Sequence, residues 1–207
     1  MTLAEAKRSR SAINRQRVAP GNSGSHIMLQ EICILQSLLE MIGLATIRMA
    51  ERGDRVELAE LHADAWRYAY RGIIPGVALE RMIARRGPAW WASRCGPRHR
   101  ALLLEFDGPV VGYVLFGPCR IRNSPRMGEI SELYVKPECQ GAGFGRSLFE
   151  EARRRLRARN LNGLLVWALA ENALACSFYK AMGGKERFRT FETLGGVRLE
   201  KIAFHWT

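Results

Sequence analysis

The chain has 207 residues, 47% of them apolar and 25% charged, the balance of a soluble globular protein with one domain and an extension. Its five cysteines (Cys33, Cys95, Cys119, Cys139, Cys176) are odd in number and form no C-x-x-C, and its four histidines are scattered, which argues against a disulfide framework, a zinc site or any metal cluster, and for a reducing, cytoplasmic setting. The formal charge of +12 attracts anions of every kind, from nucleic acid to a polyanionic cofactor, and by itself selects no partner.

Residues 1–45 read as an N-terminal extension. Lys7, Arg8, Arg10, Arg15 and Arg17 stand against few large apolar groups, so the first part is expected to be a disordered basic arm. A short amphipathic helix is predicted over 31–45, with Leu35, Leu38, Leu39 and Ile42 on one face. That run is too short to span a bilayer, and the polar residues before it make a secretory signal unexpected.

The domain proper is predicted over residues 46–207. Ile47–Ala50 is a short strand, and Asp54-x-x-Glu57 has the form of a capping box opening a helix. Leu58, Leu61, Ala65, Trp66 and Ala69 make that helix's apolar face, and Pro75 opens a second helical stretch toward Arg86. Trp90-Trp91 reads as a half-buried packing pair. Ala101–Phe106 and Val110–Phe116 flank Asp107-Gly108 as a hairpin, and residues 117–127 read as a mobile loop.

Glu129–Lys136 is rich in β-favouring residues, and Pro137 ends its hydrogen-bond ladder. Gln140-Gly141-Ala142-Gly143-Phe144-Gly145 follows, and then Leu148, Phe149, Ala152 and Leu156 at helical spacing. Strand, glycine-rich turn and helix make a phosphate cradle: the glycines let backbone approach an anion, and the helix start offers unpaired amides. The spacing G-x-G-x-G matches neither the dinucleotide fingerprint nor the nucleoside-triphosphate loop. Arg153, Arg154, Arg155, Arg157 and Arg159 crowd the end of this helix and read as a solvated face. Gly163–Leu169 is an apolar central strand, Asn172–Met182 a helix closed by Gly183-Gly184, and Lys185–Phe191 and Val197–Trp206 a last hairpin across Gly195-Gly196. The helical crossover makes the strands at 129–136 and 163–169 parallel.

The order β-α-α-β-β-β-α-β-α-β-β and the stretch from Glu129 to Arg146 resemble the GCN5-related N-acetyltransferase (GNAT) superfamily. Its pattern is Gln/Arg-x-x-Gly-x-Gly/Ala after a strand ending in an apolar triplet and a proline, met here by Gln140, Gly143 and Gly145. The segment Asn172 to Gly183 is similar to the family's Asn-x6-Tyr-x3-Gly, and Trp66 to Pro75 to its acceptor-side helices. Gly184 departs from the pattern, because the family usually carries an aromatic residue there.

The resemblance implies an α/β fold with a mixed central sheet, splayed parallel central strands and helices on both faces. It also implies an acyltransferase moving the acetyl group of acetyl-CoA directly to a primary amine of a small molecule or peptide, without a metal. Leu133, Tyr134 and Val135 would bind the pantetheine arm as an added strand. Gln140, Gly141, Ala142, Gly143, Phe144, Gly145 and Arg146 would hold the pyrophosphate, and Asn172 would bond the arm. Tyr179 would protonate the departing thiolate. Glu129, which matches the family position most often used, would serve as the base, directly or through a water, with Glu132 as the competitor and nothing in the sequence to decide between them. A homodimer fits this reading, and nucleic acid is not an expected partner. Two other functions remain open on sequence grounds: a non-catalytic acyl-CoA sensor on the same fold, and a basic nucleic-acid-associated protein.

Overall fold

The computed structural model describes residues 45–94, 100–121, 124 and 126–207. The basic arm and nearly all of the helix predicted before residue 46 lie outside the described residues. Ile47–Thr207 forms one compact unit.

The elements run β1 (Ala45–Met49), α1 (Arg55–Tyr70), α2 (Gly76–Ala84), α3 (Pro88–Arg94), β2 (Arg100–Phe106), β3 (Val110–Pro118), β4 (Met127–Val135), α4 (Phe144–Arg157), β5 (Gly163–Leu169), α5 (Ala173–Ala181), β6 (Lys185–Leu194) and β7 (Val197–Trp206). Three local readings need correction. Helix α3 is an addition to the predicted order; at seven residues it is too short for helical periodicity to stand out, yet it seats Trp91 fully in the core. The capping box lies one turn before the predicted one. It joins Glu51 and Asp54 around a 3-10 turn, because Arg48 and the Glu51 amide occupy the Asp54 carboxylate. The loop predicted over 117–127 is also narrower at its ends: Gly117 and Pro118 complete β3, Met127 opens β4, and the Cys119 amide bonds the Met127 carbonyl at 2.8 Å, while residues 122, 123 and 125 lie outside the described residues.

The seven strands form one sheet in the order β1-β2-β3-β4-β5-β7-β6. Helix α4 buries Leu148, Phe149, Ala152 and Leu156. On the opposite face, Leu58 and Leu61 of α1 and Trp91 of α3 pack with Leu103, Val110 and Tyr113. Each fully buried side chain of this size contributes roughly 1.5–3 kcal/mol relative to exposure.

The middle of the sheet is where function is positioned. Strands β4 and β5 are parallel, and they pair only from Met127 to Ile130 against Gly163 to Val166. Strand β4 continues to Val135 and β5 to Leu169, so beyond Ile130 the two part. The β3–β4 register shifts between Leu115 and Phe116, with Ser131 as the extra residue on β4. A bulge of this kind bends its strand and increases the local twist, which suits the parting.

Candidate active site

A cleft of about 340 Å³ occupies the gap that the parting strands leave. Leu133, Tyr134 and Val135 form its floor, Ala65, Tyr68 and Ala69 of α1 one wall, and Asn172, Phe178, Tyr179 and Met182 the other. Of the residues singled out in the sequence, Gln140, Gly141, Gly143, Gly145 and Arg146 also line it. Tyr68 and Ala69 lie in the Trp66 to Pro75 stretch that resembles the family's acceptor-side helices, but no single residue of the α1 wall was marked as a site residue, because Tyr68 and its small neighbours carry no motif. The alternation of Ala65 and Ala69 with the buried Trp66 is the one signal that could have marked it.

The glycine turn opens one end of the cleft. Gly141 and Gly143 have φ of +81° and +90°, and a Cβ built on either would meet nothing within 4 Å. These glycines are therefore required by backbone conformation, while the space beside them stays open. Gly143 is the N-cap of α4 and no side chain caps that helix, so its first amides face the opening. Gln140 steadies the turn by donating from Nε2 to the Val135 carbonyl at 3.1 Å. Phe144 turns away from the cleft to pack on Phe106, with ring centroids 5.1 Å apart, and Ala142 is half-buried without lining the cleft. Arg146 is exposed and its closest acid is Glu150 at 3.7 Å, a contact loose enough to share with an anion.

Across the cleft, Asn172 caps α5 by accepting from the Ala175 amide at 3.0 Å. Tyr179 is buried, and burial pushes its phenol well above the ordinary range, with Tyr70 and Cys176 adding to the rise. The phenol is therefore neutral through neutral pH. The departure at Gly184 has a physical reason: a Cβ there would lie 2.6 Å from the Trp206 ring and 2.8 Å from the Tyr179 carbonyl oxygen. Trp206 reaches in from β7, packs on Phe149 and Tyr179, and donates to the Met182 carbonyl at 2.8 Å. The aromatic ring under this helix end comes from another strand.

Glu129 and Glu132 do not line the cleft. Their partners across β3, Gly117 and Leu115, are two residues apart, so the Ser131 bulge puts both carboxylates on the same sheet face. Glu129 lies where β4 is still paired with β5, and Arg120 holds it through its backbone amide at 3.0 Å and its guanidinium at 2.5 Å. Glu132 lies one residue past the bulge, beside the cleft floor. Its Oε2 accepts from the Tyr113 hydroxyl at 2.7 Å and is 3.3 Å from His62 Nδ1, while Oε1 accepts from Arg86. Burial alone would raise the Glu132 carboxyl, but His62, Arg86 and Tyr113 outweigh it and hold the group below its usual range. Next to this cluster, Tyr134 shares a 2.8 Å hydrogen bond with Tyr70, linking the cleft floor to α1. His62, Tyr113 and Arg86 come from separate elements and carry no sequence motif.

Among the described residues there is no group of side chains suited to a metal and no helix long and apolar enough to cross a membrane. The model of the acetyltransferase (GNAT) family matches residues 55–183. An uncharacterized N-acetyltransferase, YuaI, of Bacillus subtilis is 28% identical over 163 residues, covering 79% of this chain and 93% of that protein. A mycothiol acetyltransferase of Streptomyces bingchenggensis is 30% identical over 148 residues, covering 72% of this chain but only 44% of that protein. Among solved structures, the PaiA N-acetyltransferase of Thermoplasma acidophilum in complex with coenzyme A superposes with a TM-score of 0.63 at 20% identity, covering 76% of this chain and 97% of that one.

Proposed function

Since the chain belongs to the acetyltransferase (GNAT) family and is an acetyl-CoA-dependent N-acetyltransferase, we propose that its acceptor is a primary amine on a small molecule or a peptide. The observation that carries the site assignment is the parting of β4 and β5 beside the left-handed glycine turn. The amides at the start of α4, with Arg146, suit a diphosphate, and the unpaired edge of Leu133 to Val135 suits an extended arm bearing amides. Acetyl-CoA supplies an activated thioester carbonyl when it is bound.

In the reading we favour, a main-chain amide of the open β4 edge stabilises the negative charge that grows on that carbonyl oxygen. The amine must first lose a proton, because a lysine-like ammonium titrates near 10.4. Glu132 is the better acceptor of the two carboxylates, since it lies beyond the point where β4 leaves β5 and next to the cleft floor. As the C–N bond forms and the C–S bond breaks, the nitrogen sheds a second proton, which balances the one Tyr179 gives to the sulfur. The mycothiol acetyltransferases make an amine on a small molecule a reasonable acceptor, though this chain spans under half of that relative.

Two measurements test this. Isothermal titration with acetyl-CoA is expected to give binding that Gly143→Asp abolishes, because a carboxylate there meets the diphosphate and the position needs positive φ; undiminished binding in that variant would remove the turn from the site. A free-thiol release screen over amino acids, polyamines, aminoglycosides and peptide N-termini is expected to find at least one turnover substrate among primary amines. Thiol release confined to hydroxyl or thiol acceptors would contradict the acceptor class.

A further inference from the structure

We infer that His62 and Tyr113 are positioning residues for acetyl transfer, acting through the Glu132 carboxylate. The inference rests on the reading of Glu132 as proton acceptor and adds what makes that carboxylate usable. Three heteroatoms from three elements form a closed triangle: the Tyr113 hydroxyl is 2.7 Å from Glu132 Oε2, His62 Nδ1 is 2.8 Å from that hydroxyl, and Nδ1 is 3.3 Å from Oε2. An ionised carboxylate only accepts, so the phenol proton is committed to Oε2. The phenol oxygen then accepts from Nδ1, which must carry a proton. The tautomer of His62 follows from the hydrogen-bond count alone.

The site has the marks of a fixed device. His62 and Tyr113 are fully buried and Glu132 is nearly so. The imidazole is walled by Trp66, 4.7 Å away between ring centroids, and Trp91, at 5.5 Å. Its Nε2 has no hydrogen-bond partner among the described residues, so the ring is held from its Nδ1 side and by packing. A buried carboxylate with nothing donating to it would take up a proton rather than stay charged. Here Oε2 accepts from the Tyr113 hydroxyl, whose oxygen is itself held by His62 Nδ1–H, and Oε1 accepts from Arg86, whose guanidinium lies over the Trp66 and Trp90 rings. Arg86 keeps 27% of its side chain exposed, so the cluster meets solvent on the Oε1 side only. The other ionisable groups bearing on Glu132 are Tyr70 from α1, Tyr134 from β4 and Arg120 from the segment after β3. None of these donates to Oε2. Fixing that oxygen leaves Oε1, which Arg86 also holds, as the atom that takes up a proton, and because Glu132 does not line the cleft that proton reaches it through an intervening water.

The test is the pH dependence of kcat, with KM for acetyl-CoA measured alongside. In the wild type no acid limb from Glu132 is expected in the neutral range. His62→Leu, close in size but without a donor, is expected to bring such a limb upward by about 0.5–1 pH unit, the worth of a neutral hydrogen bond that acts on the carboxylate through the phenol. KM for acetyl-CoA should stay unchanged. Tyr113→Phe, a lighter change that removes one oxygen, should move the limb the same way. His62→Asn, which keeps a donor near the Nδ1 position, should move it back, and in a Glu132→Gln background His62→Leu should alter the profile no further. The same pH profile in His62→Leu and Tyr113→Phe, with kcat merely scaled down, would overturn the inference while leaving Glu132 as the base. Full activity with an unaltered profile in Glu132→Gln would instead overturn the reading on which it rests.

Discussion

At the scale of single residues, Tyr179 and Gly143 carry the clearest assignments. Burial raises the Tyr179 phenol, so the residue stays protonated through neutral pH and has a proton to give to a thiolate, as a weaker acid than an exposed phenol. Tyr179→Phe is expected to lower kcat by about a hundredfold or more while leaving acetyl-CoA affinity largely intact. Rapid-quench turnover beside calorimetric titration separates the two, and full kcat in the variant would take the acid role from Tyr179. Both residues were legible in the sequence because their motifs are local: a positive-φ turn needs glycine, and a capped helix puts Asn172 and Tyr179 toward the same cleft. The choice between Glu129 and Glu132 was not legible. It depends on one extra residue in β4, the bulge at Ser131, which reverses the alternation of side chains. Nothing in Glu129-Ile130-Ser131-Glu132 announces a register shift.

At the scale of elements, the junction of α5 with β7 holds Tyr179 in place. Gly184 lies where Trp206 passes beneath the helix end, and there is no room for a methyl group: the contacts would be 2.6 Å to the ring and 2.8 Å to a main-chain oxygen. Gly184→Ala is therefore expected to cost about 1–3 kcal/mol of stability, as overpacking of a filled core does. It should also lower kcat more than affinity for acetyl-CoA, since Tyr179 belongs to the displaced turn. Thermal unfolding checks the first part and steady-state kinetics the second; an unchanged melting temperature would mean that Trp206 moves aside at no cost. The sequence flagged Gly184 as a departure but could not name Trp206, because the two meet only when β7 lies against β5. Helix α4 was easier to read. Its apolar stripe is regular, and Arg154 and Arg155 both pair with Glu151 on its outer side, as a solvated face allows.

At the scale of the whole molecule, the order of strands and helices followed from periodicity and turn residues, since each element was long enough to show its own pattern. Helix α3 was hidden by its seven-residue length, and the convergence of His62, Arg86, Tyr113 and Glu132 because it arises from packing between distant parts of the chain. The parting of β4 from β5 also belongs to this scale, and everything proposed for the site depends on it. A crystal structure with acetyl-CoA bound tests it most directly. The diphosphate is predicted within hydrogen-bond distance of main-chain amides between Gly141 and Arg146, with the pantetheine amides paired to the open edge of Leu133 to Val135 and the thioester sulfur facing Tyr179. Acetyl-CoA bound elsewhere, with that turn and strand edge bare, would contradict it.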